Sequence, residues 1–138
     1  MTDQERPLVL GAVAYDPKVV TIWEGFKEYL GRSGLAIDYL LFSNYEAQVE
    51  AHLRGALDLA WNSPLAWVRA RRMADADGRK VWPLVMRDTD RACTSRIVVR
   101  ADDETTELGD LRGRRLGVGA VDSPQATLIP LLHLRDAG

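Results

Sequence analysis

The side chains able to do chemistry in this chain are mostly neutral hydrogen-bonding groups gathered at four turns. They are Tyr15; Ser43, Asn44 and Tyr45; Asn62 and Ser63; and Ser123, Gln125 and Thr127, with the backbone N–H groups of Gln125 and Ala126 beside the last set. Hydroxyls, amides and free N–H groups in this arrangement suit the holding of a small polar ligand without changing it. The reactive residue types are isolated. His52 and His133 each fall on an expected helix with no second His, Cys or carboxylate at ligand spacing, so neither has an orienting partner for acid–base or metal work. The single cysteine, Cys93, has no C-x-x-C companion and reads as a buried or hinge-adjacent thiol. One cysteine also excludes an intramolecular disulfide framework and any zinc site built on two or more cysteines. No metal or cofactor is expected.

Each turn reads as the start of a helix. Asp16-Pro17, Ser63-Pro64 and Ser123-Pro124 place a capping residue before a proline at the first helical position, and Ser43-Asn44-Tyr45-Glu46 has the S-x-x-E form of a capping box. One such start is only good capping. Four of them, each directly after the carboxyl end of an expected strand, point to the crevice where open α/β sheets bind ligands. The unpaired N–H groups and positive helix termini there favour an anion. Asp16 and Asp122 would repel a phosphate-like group and suit an amine, so a zwitterionic or amine-bearing ligand fits these residues as well as a plain oxyanion does.

The elements that must position these turns alternate along the chain. Residues 8–15 are a Val- and Leu-rich strand, and residues 19–30 a helix in which Val19, Trp23, Phe26 and Leu30 recur at steps of three and four. Val20, Ile22 and Tyr29 broaden that face, and Gly31 and Gly34 end the helix. The unit repeats as strand 35–42, helix 45–55, strand 57–62, helix 65–74 and strand 81–87, an order that implies βαβ units and a mostly parallel sheet with helices on both faces. After Asp88 the chain turns polar, and residues 88–107 read as a crossing that contains a short extended run at 97–99. A strand at 115–120, the turn at 121–124 and an apolar helix to about residue 134 follow, with Pro130 expected to kink that helix or shorten its first turn. The expected division is a first α/β lobe over 1–95 and, over 96–138, a hinge strand and the first βα unit of a second lobe. One βα unit cannot close a lobe, so a partner or further chain is expected to complete it, and a homodimer is one way to cover the exposed edges.

Composition narrows the function classes. Eighteen basic and 20 acidic side chains give a net charge of −2, and the basic residues are interspersed with acids rather than gathered in a stripe, which excludes a nucleic-acid module. No segment approaches the ~20 apolar residues of a membrane span, and the polar opening lacks the basic start and apolar stretch of an export signal. Compartment stays open, since a signal could have been removed. Arg69, Arg71 and Arg72 read as a solvated helix face. Gly117-Val118-Gly119 lacks the third glycine of a dinucleotide fingerprint. Trp61 divides between core packing and a ligand-facing wall, while Trp67 belongs to the core.

At these residues the chain resembles the phosphate/phosphonate-type solute-binding proteins of ABC transporters, which have the type II periplasmic-binding-protein fold. The resemblance rests on the Tyr-containing turn after the first strand, on Ser43-Asn44-Tyr45-Glu46, on Leu57-Asp58-Leu59-Ala60-Trp61-Asn62-Ser63-Pro64, and on Leu108-Gly109-Asp110-Leu111-Arg112-Gly113 leading to the Ser123 turn. It implies two α/β lobes that close on a small anionic or zwitterionic solute, delivered to an ABC transporter permease. It also implies a full protein about twice this length. On that reading Tyr15, Ser43, Asn44, Tyr45, Asn62 and Ser63 are first-lobe contacts, and Ser123, Gln125, Ala126 and Thr127 second-lobe contacts. The chain departs from the family's Ser-Thr-Ser-Gly-like turn at Asp122-Ser123-Pro124-Gln125-Ala126-Thr127, where Pro124 has no N–H to donate. Two alternatives stay open: a cytosolic enzyme of the same fold acting on a small metabolite, and a ligand sensor.

Overall fold

A strand whose residues are apolar on both sides of its pleat must be covered on both faces, and residues 8–13 are such a strand. The computed structural model describes residues 6–92 and 94–138; Cys93 lies outside the described residues. The chain divides into two units, one through Val81 and one from Trp82 to Gly138.

In the first unit, β1 (Leu8–Val13) is the central strand of a parallel three-stranded sheet ordered β2-β1-β3, with β2 at Ile37–Phe42 and β3 at Leu59–Ala60. Leu8 pairs with Ile37 and Val13 with Phe42 on one side, and Leu10 pairs with Leu59 on the other. α1 (Val19–Arg32), between β1 and β2, covers one face, where Trp23 is buried with Leu10 and Ala12 in a cluster against which Leu41, Leu59 and Trp61 pack. α2 (Tyr45–Leu53) covers the other face, and α3 (Pro64–Ala76) packs on α2 through Ala66, Ala70 and Ala74 against Val49 and Leu53. The small side chains of α3 let the two helices approach closely, and Val81 closes the end of that cluster. The expected α/β architecture with a parallel sheet and helices on both faces is therefore present in this unit.

Local details differ from expectation in ways that physics explains. Asp16 does not cap α1 directly. It accepts from the Lys18 N–H at 2.8 Å, and a turn through Pro17 and Lys18 delays the helix to Val19. Only one line of α1 touches the sheet, so Val20, Ile22 and Tyr29 are exposed rather than part of the packed face. Gly31 lies inside the helix, and Gly34 ends it at φ +82°, with Gly34 N–H bonding to Gly31 O and Leu35 N–H to Leu30 O. β3 is short, although Asp58 N–H to Val9 O and Trp61 N–H to Gly11 O continue its pairing on either side.

Asp58 ties the edge of β3 to the start of β1. Its carboxylate takes both terminal nitrogens of Arg6 at 2.7 Å and the Val9 N–H at 2.8 Å. The Arg6 guanidinium first, and then the Val9 N–H, hold its pKa down at about 2. Because the folded value lies below the ~3.9 of an unfolded Asp, this group stabilises the fold above pH ~4, and the contribution disappears as pH falls from there towards 2. Arg6 is 69% exposed, so screening reduces the effect to on the order of 1 kcal/mol. Thermal melts of wild type and Asp58→Asn between pH ~2 and ~6 are expected to diverge above pH ~4 and converge at the acid end; parallel curves would contradict this account.

The second unit is less regular. The strands expected at 81–87, 97–99 and 115–120 are absent as ladders among the described residues. Val85, Val98 and Val121 are each 83% exposed. Apolar, β-branched runs favour extended chain, but a strand needs a neighbour to satisfy its N–H and C=O groups, and none pairs with these segments. A 3-10 turn at Leu108–Leu111 is fixed by Asp110, whose carboxylate accepts from the N–H groups of Thr106 at 2.9 Å and Glu107 at 3.1 Å. The helix expected from 124 is split into a π-helical turn at Pro124–Leu128 and α4 at Ile129–Asp136. Pro130 explains the break: it has no N–H for the Ala126 carbonyl, which accepts instead from Gly119 N–H at 3.1 Å. A Cβ on Gly119 would come within 2.7 Å of the Ala126 Cβ, so only glycine permits this approach.

Candidate functional site

Parallel strands of one sheet end at one edge, and the turns leaving that edge are brought together whatever their separation in sequence. In the first unit β1 runs out to Tyr15, β2 to Ser43 and Asn44, and β3 to Asn62 and Ser63. Tyr15 and Tyr45 meet there, ring centroids 5.8 Å apart and planes inclined at 58°. Asn44, not Ser43, is the N-cap of α2, its Oδ1 accepting from Ala47 N–H at 2.9 Å. The S-x-x-E reading is thus displaced by one residue, because β2 ends at Phe42 and leaves room for one more non-helical residue. Ser43 stands exposed beside it, within 3.4 Å of Asn44 Nδ2. Ser63 caps α3 as expected, accepting from Ala66 N–H at 3.2 Å ahead of Pro64.

Trp61 directs its ring into the apolar layer under α1, edge-on to Trp23 at 5.7 Å and 71° and 6.3 Å from Phe26. Its packing is core packing rather than a ligand wall. The next residue, Asn62, is half-buried, and its Oδ1 accepts from Gln48 Nε2 at 2.8 Å. Gln48 also donates to the Trp61 carbonyl at 3.1 Å and is fully buried. Sequence reasoning passed over Gln48. It sits in the stripe Tyr45-Gln48-Val49-His52-Leu53 at helical steps, and a lone amide in such a stripe is the signal that was there to be read.

The second unit holds the remaining candidates. Ser123 is the N-cap of the π-helical turn, its Oγ accepting from Ala126 N–H at 3.2 Å, so that N–H is engaged by the cap. Thr127 N–H bonds to Ser123 O at 3.1 Å, while the Thr127 side chain is buried and its Oγ1 has no partner among the described residues. The Gln125 side chain is exposed, and the Gln125 backbone carbonyl accepts from Ser95 Oγ at 2.5 Å. Gln125 and Ala126 line a recess of about 700 Å³ whose wall includes Arg96, Arg114 and Arg115. Arg114 pairs with Asp103 at 3.2 Å. Arg96 and Arg115 have no ion-pair partner among the described residues, which leaves two positive charges facing solvent near the Ser123 turn.

The histidines stand outside both groups. His52 is partly buried on α2, where desolvation lowers its pKa against a smaller opposing influence of Asp58, and His133 is exposed on α4. Among the described residues no group of three or more His, Cys, Asp and Glu is placed to hold a metal ion, and no helix is long and apolar enough to cross a membrane.

Comparison with known proteins bears on these features directly. No solved structure matches the chain significantly. The family model described as ABC transporter, phosphonate, periplasmic substrate-binding protein matches residues 11–138, a span that takes in the second half of β1, all three edge turns of the first unit and the whole of the second. With its parallel sheet, capped edge turns and Ser123 segment inside that match, the chain belongs to the family of phosphonate-binding periplasmic substrate-binding proteins of ABC transporters.

Proposed function

We propose that the chain captures a small phosphonate- or phosphate-like solute, anionic or zwitterionic, in a cleft between two lobes and delivers it unchanged to an ABC transporter permease. The observation that carries this reading is the gathering of Tyr15, Ser43, Tyr45, Asn62 and Ser63 at the carboxyl edge of one parallel sheet, with no acid–base or nucleophilic pair among them. On this reading Tyr15, Ser43, Asn44, Tyr45, Asn62 and Ser63 are the first-lobe contacts, and Ser123, Gln125, Ala126 and Thr127 the second-lobe contacts. Neutral donors hold an oxyanion without the full desolvation cost of a buried ion pair, and closure strengthens them by excluding water. The unpaired Arg96 and Arg115 favour approach of an anion to the second set.

A thermal-shift screen against inorganic phosphate, phosphite, methylphosphonate, 2-aminoethylphosphonate and a small alkyl sulfonate tests this. At about a hundred times its dissociation constant, the true ligand adds roughly 2.7 kcal/mol of apparent stability, a rise of several degrees in Tm. A selective rise with the phosphorus oxyanions is the expected result. No shift with any of the five would remove the reading.

A further inference from the structure

Resting on the proposed anion site, we infer that Gln48 is a positioning residue that sets the polarity of Asn62, turning its amide N–H₂ towards the ligand and so selecting an acceptor oxygen over an ammonium at that place. The inference starts from a group that has no choice. The Trp61 carbonyl can only accept, and it lies 3.1 Å from the Gln48 amide, so the nitrogen of that amide must face it. The same nitrogen has a second hydrogen, which goes to Asn62 at 2.8 Å and therefore requires the oxygen of the Asn62 amide on that side. Asn62 Nδ2 is left pointing away from Gln48, with no acceptor among the described residues, at the edge where β3 gives way to α3. A rotated Gln48 would set oxygen against the Trp61 carbonyl, and a rotated Asn62 would set nitrogen against nitrogen. The chain of polarity admits one arrangement.

A second observation shows that packing does not explain Gln48. Its Oε1 is buried with no partner among the described residues, a cost that an apolar side chain of the same length would avoid. Gln48 fills its place opposite Gly11, 3.2 Å from where a Cβ on that glycine would lie, and Met would fill the same space. The amide is needed for its two donors.

The test is a double-mutant cycle on the full chain, read by calorimetric titration with methylphosphonate. Asn62→Ala is expected to lose roughly tenfold to a hundredfold in affinity, the range for a hydrogen bond to a charged group. Gln48→Met is expected to lose about tenfold in the wild-type background and less than about twofold beside Asn62→Ala, because its effect passes through Asn62. Its melting temperature should change little. Equal losses in both backgrounds, or no loss in the wild-type background, would overturn the inference while leaving the anion site standing. Should Gln48→Met fail to fold, side-chain amide resonances of the wild type give the answer: slow exchange for Gln48, fast exchange for Asn62, and an Asn62 shift with methylphosphonate but not with ethylamine. An Asn62 amide that ignores saturating methylphosphonate, or responds to ethylamine instead, overturns it. A wild type that binds no methylphosphonate by either method overturns the anion reading, and this inference with it.

Discussion

Gly11→Val is expected to lower the melting temperature of the chain by about 10 to 20 °C, or to abolish a cooperative transition. Gly11 lies in the middle of the central strand, paired with Leu40 on one side and Ala60 on the other, so its backbone is fixed by two ladders at once. Its face of the sheet is the one under α2. A Cβ there would collide with Leu57 Cδ1 and come within 3.2 Å of Gln48 Cγ and 3.3 Å of Phe42 Cε2. Leu57 is buried and Gln48 is anchored by two hydrogen bonds, so neither has room to withdraw. Overpacking a tight core costs ~1–3 kcal/mol for added methylenes, and two branched methyls beyond that first carbon put valine at or above the top of the range. Against a total stability of ~5–15 kcal/mol, that is a large share. Circular-dichroism melts of wild type, Gly11→Ala and Gly11→Val should fall in that order; a valine variant melting within about two degrees of wild type would show that α2 can lift from the sheet without penalty.

Trp23→Ala is the second large effect, acting on the opposite face. Trp23 is 4% exposed and joins Leu10 and Ala12 of β1 to the ring of Trp61. Removing it takes away a large apolar surface and leaves a cavity under α1, with an expected cost of about 3–5 kcal/mol. The change should also reach the ligand. Trp61 has its N–H on Gly11 O at 2.8 Å and its carbonyl on Gln48, and it is joined directly to Asn62. A Trp61 ring freed to move loosens that frame, so methylphosphonate affinity is expected to fall together with stability. Trp23→Phe should keep part of both. Urea unfolding followed by circular dichroism reads the first quantity, and titration in the absence of urea reads the second. A loss of less than about 1 kcal/mol for the alanine variant would contradict the burial of this ring.

Between residues 8 and 76 the sequence and the structure agree closely because local signals and tertiary needs coincide there. Apolar runs find ladder partners, capping residues find free N–H groups, and Pro64 sits at the first helical position where it costs nothing. The differences there are local: β3 is a ladder over Leu59–Ala60 alone, α1 starts after Lys18 rather than at Asp16, and at Asn44 two neighbouring side chains were both able to cap and the end of β2 decided between them. Beyond Val81 the same kinds of signal do not become strands. Residues 97–99 and 115–120 carry the composition of strands, but composition specifies only a preference for extended chain, while pairing is a property of two segments. The site shows the same division. Hydroxyl and amide residues at the turns were legible by type and spacing; the orientation of Asn62 was not, since it is set by a buried amide on α2 and a carbonyl on β3's continuation, joined only in space.

The placement of β1 at the centre of the sheet governs the order in which the first unit can assemble. β1 leaves the ribosome before either neighbour, yet one of its sides stays unpaired until Ala60 has followed, because β3 is the partner on that side. At ~5–20 residues per second, the interval between Val13 and Ala60 is roughly two to ten seconds. For that time the central strand of the unit is a nascent edge, covered first by α1 and β2 and only later by α2. The helix between them is thus also an intramolecular shield during synthesis, and the exposure of β1 ends only when the segment carrying Trp61 and Asn62 docks. Completing the sheet and bringing Asn62 and Ser63 to the edge beside Tyr15 are the same folding event.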